Sequence, residues 1–384
     1  MNPIRTISKG GLSALLFLAL ACGKSSPGQG GNTTTPKDTT PLAGTVDKAD
    51  TLTVMAYNVL TYGDDCQGMP ATLDGYLRTI VQYVQPDLLS CEKMDAYLTT
   101  PGAAGNLADE ITTDLPAGYG YCTPTNASNA SDMSTLFYNK AKLTYVKTET
   151  LVADITDFDL YKLYYNDVNL SITHDTTFLY VMVNHTQSGN SSTDRDQQVT
   201  QEMQVLRQKF GFFPNLIDMG DFNTASSLEA GYQSVISAAD SATMMGDPPY
   251  YPDGKLQYPG NWDVSPYLAA AYLTTSTRLS ATVPNSCGTS GGAKGWYDHI
   301  FISPWLVSGA NYMHYIPGSY TTIGNDGNRL GVDINSTTPV ANTSAPTAVI
   351  NALWEFSNKY PVSIKVAVKA NRNAVSPADP VEGN

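Results

Sequence analysis

Apolar residues in this chain fall into short runs with two different periods, and polar residues mark where each run ends. Thr51 to Leu60 alternates in its middle and predicts a strand, with Asn58 near its end. Leu73, Leu77, Ile80, Val81 and Val84 recur at helical spacing, so residues 71–84 predict an amphipathic helix stopped by Pro86. Asp87 to Glu92 predicts a second strand ending on a carboxylate, and Leu107, Ile111 and Leu115 stripe a helix over 103–115. Residues 119–124, 133–139, 142–152 and 161–172 predict further strands. Phe178 to His185 is an apolar strand that ends on a histidine. Ser191 to Phe210 predicts a helix with caps among Ser191, Ser192, Thr193 and Asp194 and a core stripe of Val199, Met203 and Leu206. A buried run from Asn215 then stops at Gly220-Asp221-Phe222-Asn223. A helix is expected near 227–239, then a Pro-, Gly- and Tyr-rich loop over 246–295. Asp298 to Ile302 predicts a strand, 310–345 mostly loop, 346–357 a short helix and 360–368 a last strand.

The N-terminus carries a different pattern. Arg5 and Lys9 precede the apolar run Leu12 to Ala21, the length of an export-signal core and too short to span a bilayer. Ala21 before Cys22 resembles a bacterial lipobox. The expected organisation is a signal peptide over 1–21, a lipidated Cys22 with a flexible tether over 22–50, one domain over 51–370 and a tail over 371–384. That places the chain outside the cytoplasm, lipid-anchored to a cell-envelope membrane, with the outer membrane or cell surface expected.

Composition agrees. Of 384 residues 42% are hydrophobic and 15% charged, with 31 Gly, 23 Pro and 24 Tyr, a profile of strands and loops rather than a helical bundle. Arg5 and Lys9 are the only charges in 1–21, so 20 basic and 35 acidic groups remain beyond it, a net charge of −15. Such a field repels polyanions and makes nucleic acid a less favoured partner than a small phosphoester or lipid headgroup. A monomer is the expected form. Cys66, Cys91, Cys122 and Cys287 allow three full pairings, which spacing leaves open, and they form no zinc-type cluster.

The strand ends hold the candidate chemistry. Asn58, Glu92, His185, Asp221 with Asn223, and Asp298 are oxygen ligands, proton carriers and amide donors suited to phosphate and hard-cation chemistry. Strand ends in a packed sheet converge on one edge. Gly220 permits the sharp exit that presents Asp221 and Asn223.

In this order, Val54-Met55-Ala56-Tyr57-Asn58, Pro86-Asp87-Leu88-Leu89-Ser90-Cys91-Glu92, Val183-Asn184-His185, Gly220-Asp221-Phe222-Asn223 and Tyr297-Asp298-His299-Ile300-Phe301 resemble the endonuclease/exonuclease/phosphatase superfamily over residues 51–368. That group includes secreted deoxyribonucleases, sphingomyelinases and inositol polyphosphate 5-phosphatases. The resemblance implies an α/β fold, a four-layered α/β sandwich of two packed mixed sheets flanked by helices. It implies a phosphodiesterase or phosphatase using Mg²⁺, with Mn²⁺ as a substitute. Glu92 is then the main metal ligand, assisted by Asn58 and by the position of Asn358. Asp221 orients or deprotonates water, Asn223 contacts phosphate, and His185 donates to a phosphoryl oxygen. Arg195 matches a position that braces the site or contacts substrate, with Gln198 a turn further on.

The closing motif departs from the family, where Ser-Asp-His is followed two residues later by Pro-Val. This chain reads Ser357-Asn358-Lys359-Tyr360-Pro361-Val362. An ammonium beside Asp298 keeps the electrostatic role of the missing histidine and loses its proton exchange. Two readings follow: a hydrolase with an altered final dyad, or a degenerate member that binds a phosphate- or sugar-bearing ligand. His299 is expected to face away from the site, His174 and His314 to be structural in turn or loop context, and Trp262 and Trp296 either to wall the site or to decorate a surface loop.

Overall fold

A computed structural model of the chain describes residues 40–63, 70–96, 107–251, 260–280 and 288–373. The signal peptide, Cys22, most of the tether, Cys66, Cys287 and the tail beyond 373 lie outside the described residues. In chain order the regular elements are β1 (Ala49–Tyr62), α1 (Pro70–Val84), β2 (Leu88–Asp95), α2 (Leu107–Asp114), β3 (Tyr119–Tyr121), β4 (Asp132–Asn139), β5 (Leu143–Ala153), β6 (Asp157–Tyr165), α3 (Leu170–Thr173), β7 (Phe178–His185), α4 (Thr193–Lys209), β8 (Leu216–Asp221), α5 (Ala230–Ile236), β9 (Asp298–Ile302), α6 (Pro304–Ser308), β10 (Met313–Tyr315), β11 (Thr321–Thr322), α7 (Thr347–Phe356) and β12 (Val362–Lys369). The described residues belong to one compact unit.

Two mixed sheets carry the architecture. One has the order β10-β12-β1-β2-β4-β3, with β11 also on β12, and the other β5-β6-β7-β8-β9. Alternation decides which face goes where. Leu52, Val54 and Ala56 turn inward to a core shared with Val181, Val183, Ile217, Met219, Ile300 and Ile364. The intervening Met55 and Tyr57 join Leu73, Leu77 and Ile80 of α1 and Leu353 and Phe356 of α7; the Tyr57 and Phe356 rings lie 5.4 Å apart. On the far side Tyr180 and Met182 share a core with Val199, Met203 and Leu206 of α4, and Tyr180 meets Phe210 edge to face at 4.9 Å. Helix, sheet, sheet, helix: the expected four-layered sandwich is the observed one.

Several boundaries differ from the sequence expectation. The strand expected over 161–172 runs Asp157–Tyr165, and α3 takes up its expected end. The 310–345 loop contains β10, with His314 in it paired to Ala367, and β11. The helix expected from Ser191 begins at Thr193, and its N-cap Ser192 makes no side-chain cap bond. The tether's expected end at 50 is also too late. The Leu42 amide donates to the Arg372 carbonyl at 2.8 Å, and the Val46 amide to Asn169 Oδ1 at 2.8 Å. Leu42 and Val46 are fixed through their backbone amides and not by the apolar burial that sequence patterning detects. Cys91 and Cys122 are buried free thiols, so neither takes part in a pairing. No described helix is long and apolar enough to cross a membrane.

Candidate active site

Pairing register brings the polar strand positions together. In one sheet Asn58 lies opposite Glu92 on parallel β1 and β2. In the other, His185 lies opposite Asp221 on parallel β7 and β8, and Asp221 opposite Asp298 on antiparallel β9. Asn58 is not at the end of its strand. The ladder shifts between Asn58 and Tyr62, and Leu60 and Thr61 take positive φ of 52° and 56°. This bulge turns the chain at the sheet edge.

One hydrogen bond joins the two sheets at this edge: Asn58 Nδ2 donates to Asp221 Oδ2 at 2.8 Å. The same oxygen accepts from Lys359 Nζ at 2.7 Å. Asp221 Oδ1 accepts from the Asn223 amide at 3.0 Å, and Asn223 Nδ2 donates to the Thr186 carbonyl at 2.9 Å. Gly220 makes this turn possible. Its φ is +148°, and a Cβ there would stand 2.0 Å from the Asn184 carbonyl oxygen.

Lys359 reaches the site from the residues just before β12. Its Nζ is 3.8 Å from Asp298 Oδ2, farther than from Asp221. The expected partnership with Asp298 is therefore secondary, and Asp221 holds the direct bond. The ammonium also lies 4.8 Å from the Tyr297 ring centre, a cation–π contact. Tyr297 itself is anchored by its hydroxyl to Asp263 at 2.9 Å. The sequence reading missed this aromatic; its only signal was its place next to Asp298.

The electrostatics follow from these distances. Burial works to raise the Asp221 carboxyl, but Lys359, His185 and the Asn58 bond prevail and bring it down to about 2. Asp298 is pushed up to about 8 by burial and by the Asp221 charge, against Lys359 and Thr274. Neither of its carboxyl oxygens has a hydrogen-bond partner among the described residues. The ammonium therefore serves Asp221, and Asp298 keeps a proton near neutrality. Burial lowers Lys359, yet Asp221, Asp298 and Glu92 raise it further, so it stays charged. His185 is brought down to about 4 by burial, with Asp221 opposing and Lys93 and Lys359 assisting, so its imidazole is neutral at pH 7.

Glu92 is fully buried. Its Oε1 accepts from Ser90 Oγ at 2.5 Å, while Oε2 has no partner among the described residues. Burial, with Asp298 and Asp221 adding to it, pushes its carboxyl well above the usual range. An orphaned carboxylate oxygen in a cluster of oxygen donors fits a hard cation held by one protein carboxylate and several waters. Asn58 is less free: its Oδ1 accepts from the Leu60 amide at 2.9 Å. Asn358 Nδ2 donates to Thr289 Oγ1 at 2.8 Å and to its carbonyl at 3.2 Å, while its buried Oδ1 has no partner among the described residues. Among the described residues no group of three or more His, Cys, Asp or Glu side chains is placed to hold a metal ion.

Arg195 departs from the expected substrate contact. Nε and Nη2 form a two-point pair with Glu229 at 2.7 and 2.6 Å, and Nη1 donates to the Gly189 and Ser191 carbonyls. It braces the loop after β7. Gln198 does the same for the Gln187 amide at 2.8 Å. Trp262 and Trp296 are fully buried, neither walling the site nor decorating the surface. They pack with Phe222 and Tyr232 around His299, which faces away as expected and meets Asp247 at 3.1 Å.

A second buried polar group lies behind the site. Asn184 Nδ2 donates to Asp218 Oδ1 at 3.0 Å and to both Glu202 oxygens at 3.2 and 3.3 Å. Burial pushes both acids up, Asp218 to about 7. The sequence signal was an Asp inside the apolar run at 216–219 and a Glu on the buried stripe of α4.

No family sequence model and no curated protein sequence matches the chain. Solved structures do. TDP2 of D. rerio complexed with a single-strand DNA product matches with TM-score 0.51 at 12% identity, over 82% of this chain and 98% of that one. The human Nocturnin catalytic domain matches with TM-score 0.49 at 14% identity, over 83% and 96%. A mannosyl-6-phosphatase of Bacteroides thetaiotaomicron matches with TM-score 0.47 at 14% identity, over 82% and 99%. At 12% identity the likeness to TDP2 is one of fold, and it extends over nearly all of that chain. Two packed mixed sheets with flanking helices give the chain the fold shared with that TDP2 structure, the α/β sandwich that the sequence resemblance implies.

Proposed function

We propose that the chain is a phosphoester hydrolase, exported and lipid-anchored, acting on a small phosphoester or lipid headgroup with Mg²⁺ held at Glu92. The observation that carries this reading is the meeting of Asn58 and Glu92 from one sheet with Asp221 and Asp298 from the other around one buried ammonium. A structural ion pair needs two charges; this cluster gathers three carboxyls, a histidine and an amide at a sheet edge.

When bound, the cation polarises the phosphoryl group and offsets charge on the leaving oxygen. Asp221, ionised across the neutral range, orients the attacking water; at about 2 it is a weak base, so orientation is its main contribution. The water oxygen attacks phosphorus, the ester P–O bond breaks, and the water proton passes through solvent to the leaving oxygen. Lys359 contributes fixed positive charge to the phosphoryl oxygens, and neutral His185 can donate one N–H to them. Asn223 retains a second amide hydrogen for phosphate beyond its bond to Thr186.

Ligand binding without turnover is the second reading, and one observation favours it. Both Asp221 oxygens already accept from Asn58, Lys359 and Asn223, which leaves about one of the carboxylate's four lone-pair sites, on Oδ1, for a water. The test compares the parent, Glu92→Ala, and Asn358→Asp with Lys359→His on a generic phosphodiester and monoester with Mg²⁺ or Mn²⁺. Turnover in the parent that vanishes in Glu92→Ala is expected. A silent parent with a gain in the double variant sinks the hydrolase reading in favour of binding.

A further inference from the structure

Lys359 brings a permanent positive charge to the edge where a divalent cation would sit. Its ammonium is buried, bonded to Asp221 at 2.7 Å, 3.8 Å from Asp298, and influenced by Glu92 as well. It cannot swing away cheaply. Tyr297 covers it from the ring face at 4.8 Å, and Asp263 holds the Tyr297 hydroxyl.

The same bond affects the neighbouring oxygens. Asp221 Oδ2 is shared between Lys359 and Asn58, so the Asn58 amide group points its nitrogen at the cluster and gives its oxygen to the Leu60 backbone. Asn358, the neighbour of Lys359, is drawn the other way, to Thr289. Among the described residues of this cluster, Glu92 Oε2, Asn358 Oδ1 and both Asp298 oxygens have no hydrogen bond, and Asp298 Oδ2 lies 3.8 Å from the ammonium.

We propose that Lys359 is a built-in antagonist of the divalent cation at Glu92: its ammonium partly fills the electrostatic role of the metal, lowers metal affinity and sets the concentration at which metal binds. The inference rests on the reading that Glu92 holds the cation. Like charges in a buried cluster repel far more strongly than in water, and Asp221, the acid most able to help a metal, is already compensated by the ammonium. The chain therefore holds phosphate-bearing anions partly through its own side-chain cation and takes up Mg²⁺ weakly.

Mn²⁺ titrations followed by the loss of the free-ion electron paramagnetic resonance signal test this without reference to turnover. The full chain is compared with Lys359→Gln, Lys359→Met and the double variant Glu92→Gln with Lys359→Gln, each confirmed folded by its thermal transition. Lys359→Gln retains a donor for Asp221 and carries the test if Lys359→Met does not fold. Removal of the charge is expected to tighten Mn²⁺ binding by about tenfold or more, and loss of Glu92 to abolish that gain. Equal affinity in the parent and Lys359→Gln, weaker binding in the variant, a gain that survives loss of Glu92, or no binding in any of them overturns the proposal. Phosphoester turnover by the parent, assayed separately with and without chelator, distinguishes the two readings. Turnover with equal Mn²⁺ affinities overturns only the antagonism, whereas absent turnover beside a Glu92-dependent gain overturns only the hydrolase.

Discussion

Lys359→Met removes the cation and leaves its carboxylate partners buried. Asp221 has an ordinary value of 3.8 and is held at about 2. At about 1.4 kcal/mol per tenfold, that difference is worth about 2.5 kcal/mol of stability at neutral pH. Because the value is depressed, this stability is present above about 3.8 and is lost as pH falls through about 2. Without the ammonium, burial dominates and the Asp221 value moves up past 3.8, so the same group becomes a cost. Breaking a buried pair by removing one partner typically costs about 3–5 kcal/mol, and that range is expected at pH 8. Protonation of Asp221 relieves it, so the loss shrinks by up to about 1.4 kcal/mol per pH unit as pH falls toward 5. Urea unfolding at pH 5, 6, 7 and 8, followed by the fluorescence of the four tryptophans, of which Trp262 and Trp296 are fully buried, measures this directly. A loss below about 1 kcal/mol at pH 7, or one that is flat from pH 5 to 8, refutes the argument that Lys359 compensates Asp221.

Three more outcomes are expected. Gly220→Ala brings a methyl group to 2.0 Å from the Asn184 carbonyl at a φ of +148° and costs about 3 kcal/mol or more in urea unfolding; a loss under about 1 kcal/mol means the β7–β8 edge relaxes freely. Asp298, raised from 3.8 to about 8, binds its proton more tightly when folded, so parent stability declines as pH rises from about 4 through about 8. Asp298→Asn flattens that decline, and an unchanged slope assigns it to another group. Arg195→Met breaks the buried pair with Glu229 and lowers stability by about 3–5 kcal/mol, while KM of the folded protein stays within about twofold; a tenfold rise in KM returns Arg195 to substrate binding.

The site was legible because its residues interrupt apolar runs. A strand of Leu, Ile and Met that stops at Gly220-Asp221 announces both an edge and a carboxylate; His185 likewise ends β7, whereas Asp298 opens β9 and β2 runs past Glu92, its expected end, to Asp95. What could not be read was distance. Nothing in the order of residues distinguishes an ammonium on Asp298 from one on Asp221, because β8 and β9 are neighbours and the choice depends on a fraction of a side chain's length. Arg195 was expected to brace the site or contact substrate, and the partner that makes it a brace was not legible: Glu229 lies 34 positions away and reveals itself only when α5 folds back against α4. The Asn184, Glu202 and Asp218 group escaped because a single acid on an apolar face looks like a solvent-facing residue until its partners are known. Tyr297 was named only as the first residue of the Asp298 motif, with no role of its own, although its ring rests against Lys359.

The Asn58–Asp221 bond gives the molecule a property that neither sheet has alone. It crosses from one layer of the sandwich to the other at the sheet edge, between two buried side chains. Such a bond works as a seam. If the layers part at this edge, Asp221 loses its amide partner, Lys359 gains room to move, and the local charge balance changes before the hydrophobic interior is disturbed. Cohesion of the two layers and competence of the polar cluster therefore depend on the same few atoms, and fraying of the sandwich would register first as a change at the site.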